Sequence, residues 1–341
     1  MKIINCNNVN DGFIKGMDLL GTIPASEYLD SRAGQVVDAL EPVATVFNKP
    51  LERVLFEEVR KANPFFHLIE SLWMLFGAKD LDYIEYYNKR MREYSDDGTT
   101  LQGAYGYRWR EHFGVDQLHL IIERLKKDPN DRRSVLQMWD PKTDLDKQSK
   151  DVPCNTVIYF KVRNGCLDMT VSNRSNDIIW GTFGANIVHM SILQEYMAYS
   201  IGVPLGKYTQ ISDSFHAYTE IYEDMYRSLY VQDAFDFYNM KEYSNPYENK
   251  AINTYPLINT TREAWDKDLS KFLNRSPMSD PSKFTDPFFI EVACPMQDAW
   301  YLYKQGEYEE SLIEIQGCCA SDWGTAGYNW LERSINNKND K

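Results

Sequence analysis

The segment TVIYFKVRNGCLDMTVSN constrains the fold most. Two runs rich in β-branched and aromatic residues flank Asn164-Gly165, a residue pair that favours a tight hairpin turn. A strand pair at the centre of the chain excludes an all-helical fold. SVLQMWDP and the segment near KYTQISDSF also read as strands, and SRAGQVVDALEPVATVF reads as a loop holding Arg32 followed by strands. Helical patterns lie between them. Residues 63–93 open with Asn63-Pro64 and run as a buried amphipathic helix, with Phe66, Ile69, Leu72, Trp73 and Leu75/Phe76 at helical spacing and Glu70 inside the apolar stretch. DQLHLIIERLKK is a second amphipathic helix, stopped by DPND, and NIVHMSILQEYMAYSIG is a long helix closed by Gly202. Residues 220–240 read as helical again. Residues 241–290 are polar, turn-rich and Pro-containing, the pattern of an excursion or linker. The end of the chain reads as two or three short helices with a frayed NNKNDK tail. The expected division is therefore residues 1–240 as one unit and 241–341 as an excursion with a helical C-terminal extension.

Composition narrows the function. The net charge is -13, with 37 Lys+Arg against 50 Asp+Glu. A nucleic-acid groove needs a basic face, so none is expected, although one local basic cluster for a single phosphate is compatible. No apolar run approaches the roughly 18–20 residues of a membrane span. The N-terminus MKIINCNNVNDGF has no apolar leader pattern, so a cytoplasmic location is expected. The six Cys are scattered and read as reduced thiols. The five His show no metal-ligand spacing, and no metal is expected. Aromatic residues make up 14% of the chain, including 23 Tyr. Such rings stack flat ligands, but most of them fill cores.

Several residues could carry chemistry, each with a plainer alternative. Cys154 follows Pro153 at the start of a β-run, where positive charge could make it a nucleophile; otherwise it is a small buried apolar residue. Glu70 is a carboxylate on an apolar helix face, needing a partner unless it tips toward solvent. Arg32, Arg132, Arg133 and Arg174, the last followed by Ser175, could grip a phosphate or serve as surface ion pairs. Asn186 could read a ring amide or cap the helix that follows. His216 and Tyr218 suit a sugar hydroxyl, or are a core His and an interface Tyr.

Taken together, ESLWMLFG, LQGAYGYRWR, DPNDRRSVLQMWDP, the Pro-Cys of DVPCN, SNRSNDIIWG with the following NI, and SDSFHAY resemble the thymidylate synthase family, which includes the phage deoxypyrimidylate hydroxymethylases. The six stretches fall in the family's order over roughly residues 25–225. The resemblance implies an α+β, thymidylate synthase-like fold, with a large mixed β-sheet flanked by helices. It implies that Cys154 adds to C6 of a pyrimidine nucleoside monophosphate, that Arg32, Arg174 and Ser175 hold the 5′-phosphate, and that Arg132 and Arg133 are lent across a homodimer interface with shared active sites. Asn186 then reads the base, His216 and Tyr218 the sugar, Glu70 acts through ordered water, and Tyr105 helps remove the C5 proton. Asp177 and Tyr94 face the folate, with 5,10-methylenetetrahydrofolate as co-substrate. The arginine cluster is expected to lower the Cys154 pKa.

The chain departs from the synthase pattern in ways that bear on the product. Asn155 stands where synthases commonly have His, and Asn173 where they have Gln. Met91 or Arg92 falls near a Trp that shields the folate, Tyr94 replaces a second Trp, and the short apolar tail that caps folate is absent. Easier access for water favours hydroxymethylation of dUMP. Thymidylate synthesis and dCMP hydroxymethylation are the alternative activities. A nucleotide-binding homologue without catalysis is the non-enzyme alternative, disfavoured because both Cys154 and Glu70 are present.

Overall fold

The computed structural model describes residues 1–230 and 245–339. The Asn164-Gly165 signal is realised as expected. Both residues have positive φ, 51° and 78°, which suits a two-residue turn that matches strand twist. The turn joins Asn155–Arg163 and Cys166–Asn173, with Arg163 opposite Cys166. The strands in chain order are β1 (Lys2–Cys6), β2 (Leu29–Ser31), β3 (Gly34–Asp38), β4 (Val43–Phe47), β5 (Val135–Gln137), β6 (Asn155–Arg163), β7 (Cys166–Asn173), β8 (Asn176–Asp177), β9 (Leu205–Ser212) and β10 (Phe215–Tyr218). Six of them form a mixed sheet in the order β1-β4-β9-β7-β6-β5. The other four form a small sheet, β2-β3-β10-β8. The KYTQISDSF region is thus two strands in two sheets.

The helices are α1 (Val9–Gly21), α2 (Pro64–Phe76), α3 (Leu81–Glu85), α4 (Tyr105–Arg110), α5 (Gln117–Lys127), α6 (Pro141–Asp144), α7 (Asn186–Ile201), α8 (Thr219–Tyr230), α9 (Arg262–Leu273), α10 (Cys294–Gln305), α11 (Tyr308–Gln316) and α12 (Ser321–Asn339). With the sheets they make the expected α+β fold with a helical C-terminal part. Among the described residues no helix is long and apolar enough to cross a membrane.

The long helix expected over 63–93 is broken. α2 ends at Gly77, whose φ of 90° closes the helix in the left-handed conformation. Asp80 then bridges to Thr100, and only the five-residue α3 and a short 3-10 segment, Lys89–Tyr94, follow. α2 is also not amphipathic in place, since every residue from Pro64 to Leu75 is buried. Its outer side is covered by the C-terminal helices. Phe65 lies 5.6 Å from the Trp300 ring and 5.7 Å from Trp330, contacts worth about 0.5–1.5 kcal/mol each beyond their buried area. In the stretch expected to be an excursion, residues 262–273 form α9, which buries Trp265, Leu269 and Phe272 in the core. The last helix is long rather than short, and it carries the NNKN sequence in helix to Asn339. Residues 231–240 of the helix expected over 220–240, the boundary drawn at 240, and the last two residues of the tail lie outside the described residues.

Alternation along the large sheet leaves one face uncovered within the chain. Ile158 and Phe160 are buried under helices, whereas Tyr159 is 46% exposed. Ile3 and Val135 are likewise exposed. An antiparallel or mixed sheet presents two such faces when helices cover only one.

Candidate active site

The hairpin brings Cys154 and Arg174 together. Register pairs Asn155 with Asn173, so the residues just beyond them sit side by side. The Arg174 backbone N–H donates to the Cys154 carbonyl at 3.0 Å. Its guanidinium donates to the Pro153 and Val152 carbonyls at 3.0 and 3.3 Å, and reaches the Cys154 Sγ at 3.9 Å. The same guanidinium lies 5.6 Å from the Trp139 ring centroid. The expected lowering of the thiol is not what one chain produces. Burial raises the Cys154 pKa, Arg174 opposes without prevailing, and Asp177 adds to the rise.

Tyr105 opens α4 and interacts with Cys154. Its hydroxyl is pushed well up by burial and by the charges of Cys154 and Glu70, while a backbone hydrogen bond from Asn155 and the Arg174 charge oppose the rise. The phenol is therefore neutral and interacts with the charges of both Cys154 and Glu70. Glu70 does not tip toward solvent; it is 5% exposed. Its Oε2 lies 2.8 Å from His189 Nε2 on α7, but not in hydrogen-bond alignment, and neither atom has an aligned partner among the described residues.

The small sheet supplies a second wall. Arg32 sits exposed in the turn between β2 and β3. β3 pairs with β10, placing Val36 opposite Tyr218 and Asp38 opposite His216. Burial raises the Tyr218 hydroxyl, Asp177, Tyr94 and Cys154 add to the rise, and the Arg32 charge opposes it. Ser214 Oγ lies 2.9 Å from His216 Nδ1 and donates to Asp38 at 2.7 Å, which fixes the imidazole. β8 runs beside β10, with Asp177 opposite His216. Asp177 Oδ1 accepts from the backbone N–H groups of Ile179 and Trp180 at 2.7 Å each. Its Oδ2 is buried and has no partner among the described residues. Burial raises this carboxyl, with His216 and Arg60 opposing. Tyr94 lies within reach of the Cys154 and Asp177 charges. Ser175 follows Arg174 and is half-buried.

Asn186 is not the cap of α7. Ala185 holds that position, with no side-chain cap bond. Asn186 is in the first turn, 6% exposed, and donates to Asn176 Oδ1 at 3.0 Å. Asn176 in turn donates to Gln210 and Ser212 at 2.8 and 3.0 Å. That amide network holds Asn186 in one orientation, as reading a base requires.

Two residues escaped the sequence reading. Arg60 is 5% exposed, donates to the Ile179 carbonyl at 2.6 Å, and lies 4.4 Å from the Trp180 ring centroid. Burial lowers its pKa to about 10. Trp180 is 41% exposed, in the π-helical segment Ile178–Ala185 that leads into α7. Arg60 lies in a polar stretch outside the quoted motifs, and Trp180, although within SNRSNDIIWG, ends an apolar run whose exposure only the fold reveals.

Arg132 and Arg133 do not join the cluster within one chain. They precede β5, whose Val135 pairs with Tyr159 of β6. That register puts them near Lys161, whose ammonium donates to the Asn130 carbonyl at 3.0 Å. From there to Cys154 is about 23 Å along the strand, beyond an arginine's reach. Both are exposed; Arg133 is 82% so, with Asp131 3.7 Å away.

A family model described as thymidylate synthase matches residues 58–253. The chain is 45% identical over 338 residues to a deoxyuridylate hydroxymethyltransferase of Pseudomonas phage M6, covering 98% of this chain and 94% of that protein. It is 40% identical over 313 residues to the Bacillus phage SP01 protein of the same name, covering 87% and 76%. A putative thymidylate synthase of Methanothermobacter marburgensis is 32% identical over 220 residues, covering 63% and 92%. With more than half of its length matched by the family model and nearly all of it aligned to a relative at 45% identity, the chain belongs to the thymidylate synthase family.

Proposed function

We propose that the protein hydroxymethylates C5 of dUMP through a covalent bond between Cys154 and C6. The observation that carries the chemistry is the hairpin end, where Arg174 reaches the Cys154 sulfur at 3.9 Å, with Tyr105 and Glu70 alongside. The choice of product rests on similarity, over 98% and 87% of this chain, to two phage proteins named deoxyuridylate hydroxymethyltransferase.

Arg174, Ser175 and Arg32 hold the 5′-phosphate, His216 and Tyr218 the sugar, and Asn186 the uracil amide. The Cys154 thiolate adds to C6, and the electron pair moves to make C5 nucleophilic. Glu70 acts through ordered water at the base carbonyl, and the neutral Tyr105 hydroxyl helps carry the C5 proton away. Asp177 with its unpaired Oδ2, Tyr94, and the exposed ring of Trp180 fit the polar edge and flat face of a pterin. When bound, 5,10-methylenetetrahydrofolate supplies the one-carbon unit as an electrophile.

The active form in this reading is a homodimer joined through the uncovered sheet face. A two-fold axis across that face sets one chain's Arg132 and Arg133 against the other's Cys154 end. Their charge then offsets the burial that raises the thiol. Residues 1–240 are the catalytic unit in this reading; beyond it α9 packs into the core, and α10 and α12 buttress α2. The test is product mass after incubation with dUMP and methylenetetrahydrofolate. A hydroxymethyl product without dihydrofolate is expected; thymidylate with matching dihydrofolate would contradict the proposal.

A further inference from the structure

Two facing asparagines behind the nucleophile hold buried polar atoms that the protein leaves unpaired. Asn155 follows Cys154 and is 0% exposed; Asn173 precedes Arg174 and is 3% exposed. They are register partners across β6 and β7. Neither the Oδ1 nor the Nδ2 of Asn155 has a hydrogen-bond partner among the described residues, nor does the Oδ1 of Asn173. The Asn173 Nδ2 is taken, donating to the Ile211 carbonyl at 3.4 Å. A buried amide left unpaired is costly, so three such atoms on two register partners call for a ligand. The local backbone is also unusual. Register shifts between Asn155 and Val157, a bulge of the kind that re-aims side chains next to active sites.

The unpaired set is one donor and two acceptors. A water molecule donates two hydrogen bonds and accepts up to two, so it can satisfy both acceptors and the donor with a lone pair left to form a bond, and a buried water needs 2–4 polar partners. We propose that Asn155 and Asn173 together bind and orient the water that becomes the product's hydroxyl group. This rests on the hydroxymethylase reading and names how that site selects its product. After folate departs, the nucleotide carries an exocyclic methylene at C5 and the Cys154 sulfur at C6. The water oxygen bonds the methylene carbon, and the double-bond pair moves into the ring. That pair returns to form C5=C6 and expels the sulfur. The water's surplus proton goes to the departing thiolate, so the thiol is restored and the atoms balance. The asparagines are positioning residues: their amides hold the water and exchange no proton with it.

The experiment is a single turnover of the full chain with dUMP tritiated at C5 and methylenetetrahydrofolate. Tritium release reports proton removal, before water enters. Product mass, dihydrofolate absorbance and the intact mass of the protein report the later steps. For Asn155→Val, tritium release is expected within about threefold of wild type, while hydroxymethyl product forms at least tenfold more slowly. Either nucleotide stays bound to the protein or thymidylate and dihydrofolate appear. Tritium release at the wild-type rate also proves that the variant is folded. If Asn155→Val releases none, Asn155→Asp decides, because it keeps the shape and loses the donor; the same separation of the two rates is expected. Equal loss of both rates in Asn155→Asp, or loss of neither in either variant, overturns the proposal. If wild type itself yields thymidylate, the hydroxymethylase reading fails first and the proposal falls with it.

Discussion

The two ends of β6 differ in kind. At the Asn155 end, one chain assembles a thiol, an arginine, a neutral phenol and a buried carboxylate. At the Lys161 end, two adjacent arginines stand in solvent with one loose acidic neighbour. The first end has chemistry but too little positive charge, so burial governs the thiol. The second has charge and nothing to act on. A charged pair that contributes little where it stands and a nucleophile that needs charge are complementary, and an uncovered sheet face lies between them.

The contrast between the ends can be broken most severely at the nucleophile. Cys154→Ala should lower turnover by roughly 10⁴-fold or more while dUMP still binds in calorimetry. Retained turnover would remove the Asn155 end from the chemistry. Glu70→Gln should cost roughly 10³-fold, within the span of general acid–base roles, and stopped-flow assays would resolve it. A loss under tenfold would make the 2.8 Å approach to His189 a packing feature.

The other end predicts a smaller and more specific effect. Cations lower a thiol pKa, so removing Arg132 and Arg133 together should raise that of Cys154. At a fixed pH below that value, the thiolate fraction falls about tenfold for each pH unit by which the pKa rises, and alkylation by iodoacetamide should slow in proportion. An unchanged pH profile would separate the two ends.

A control lies away from both. Asp322 opens α12, 1% exposed, and accepts from the Tyr247 hydroxyl at 3.1 Å. Burial raises its pKa to about 6. The folded chain therefore holds a proton there that the unfolded chain has lost, and stability falls as pH rises from about 4 to about 6, by up to roughly 3 kcal/mol. Urea unfolding of wild type against Asp322→Asn across that window should read the difference, with kcat at neutral pH unchanged.

The Asn155 end is largely legible in the sequence, because hairpins are local. Cys154 and Arg174 flank Asn164-Gly165 almost symmetrically, so their meeting follows from the turn. Glu70 is legible as a carboxylate on an apolar face. The features that the sequence hides depend on distant contacts. α2 reads as amphipathic until Trp300 and Trp330 cover its outer side. The break at Gly77 is masked by apolar residues beyond it that serve short turns instead. Arg60 and Trp180 acquire roles only where the segment after β8 folds back on the α2 approach. The expected lowering of the thiol added up arginines that one chain keeps apart.

The most direct measurement mixes two variants, each impaired at a different end of β6. Cys154→Ala lacks the proposed nucleophile, and the Arg132→Ala/Arg133→Ala chain lacks the charge proposed to be lent. In the proposed homodimer, unfolding and refolding the two together in equal amounts makes half of the dimers mixed, each with one site holding intact Cys154 and arginines. The account predicts recovery of about one quarter of wild-type turnover, as expected for a two-fold dimer with shared sites. Activity no greater than that of the two variants refolded separately would contradict it.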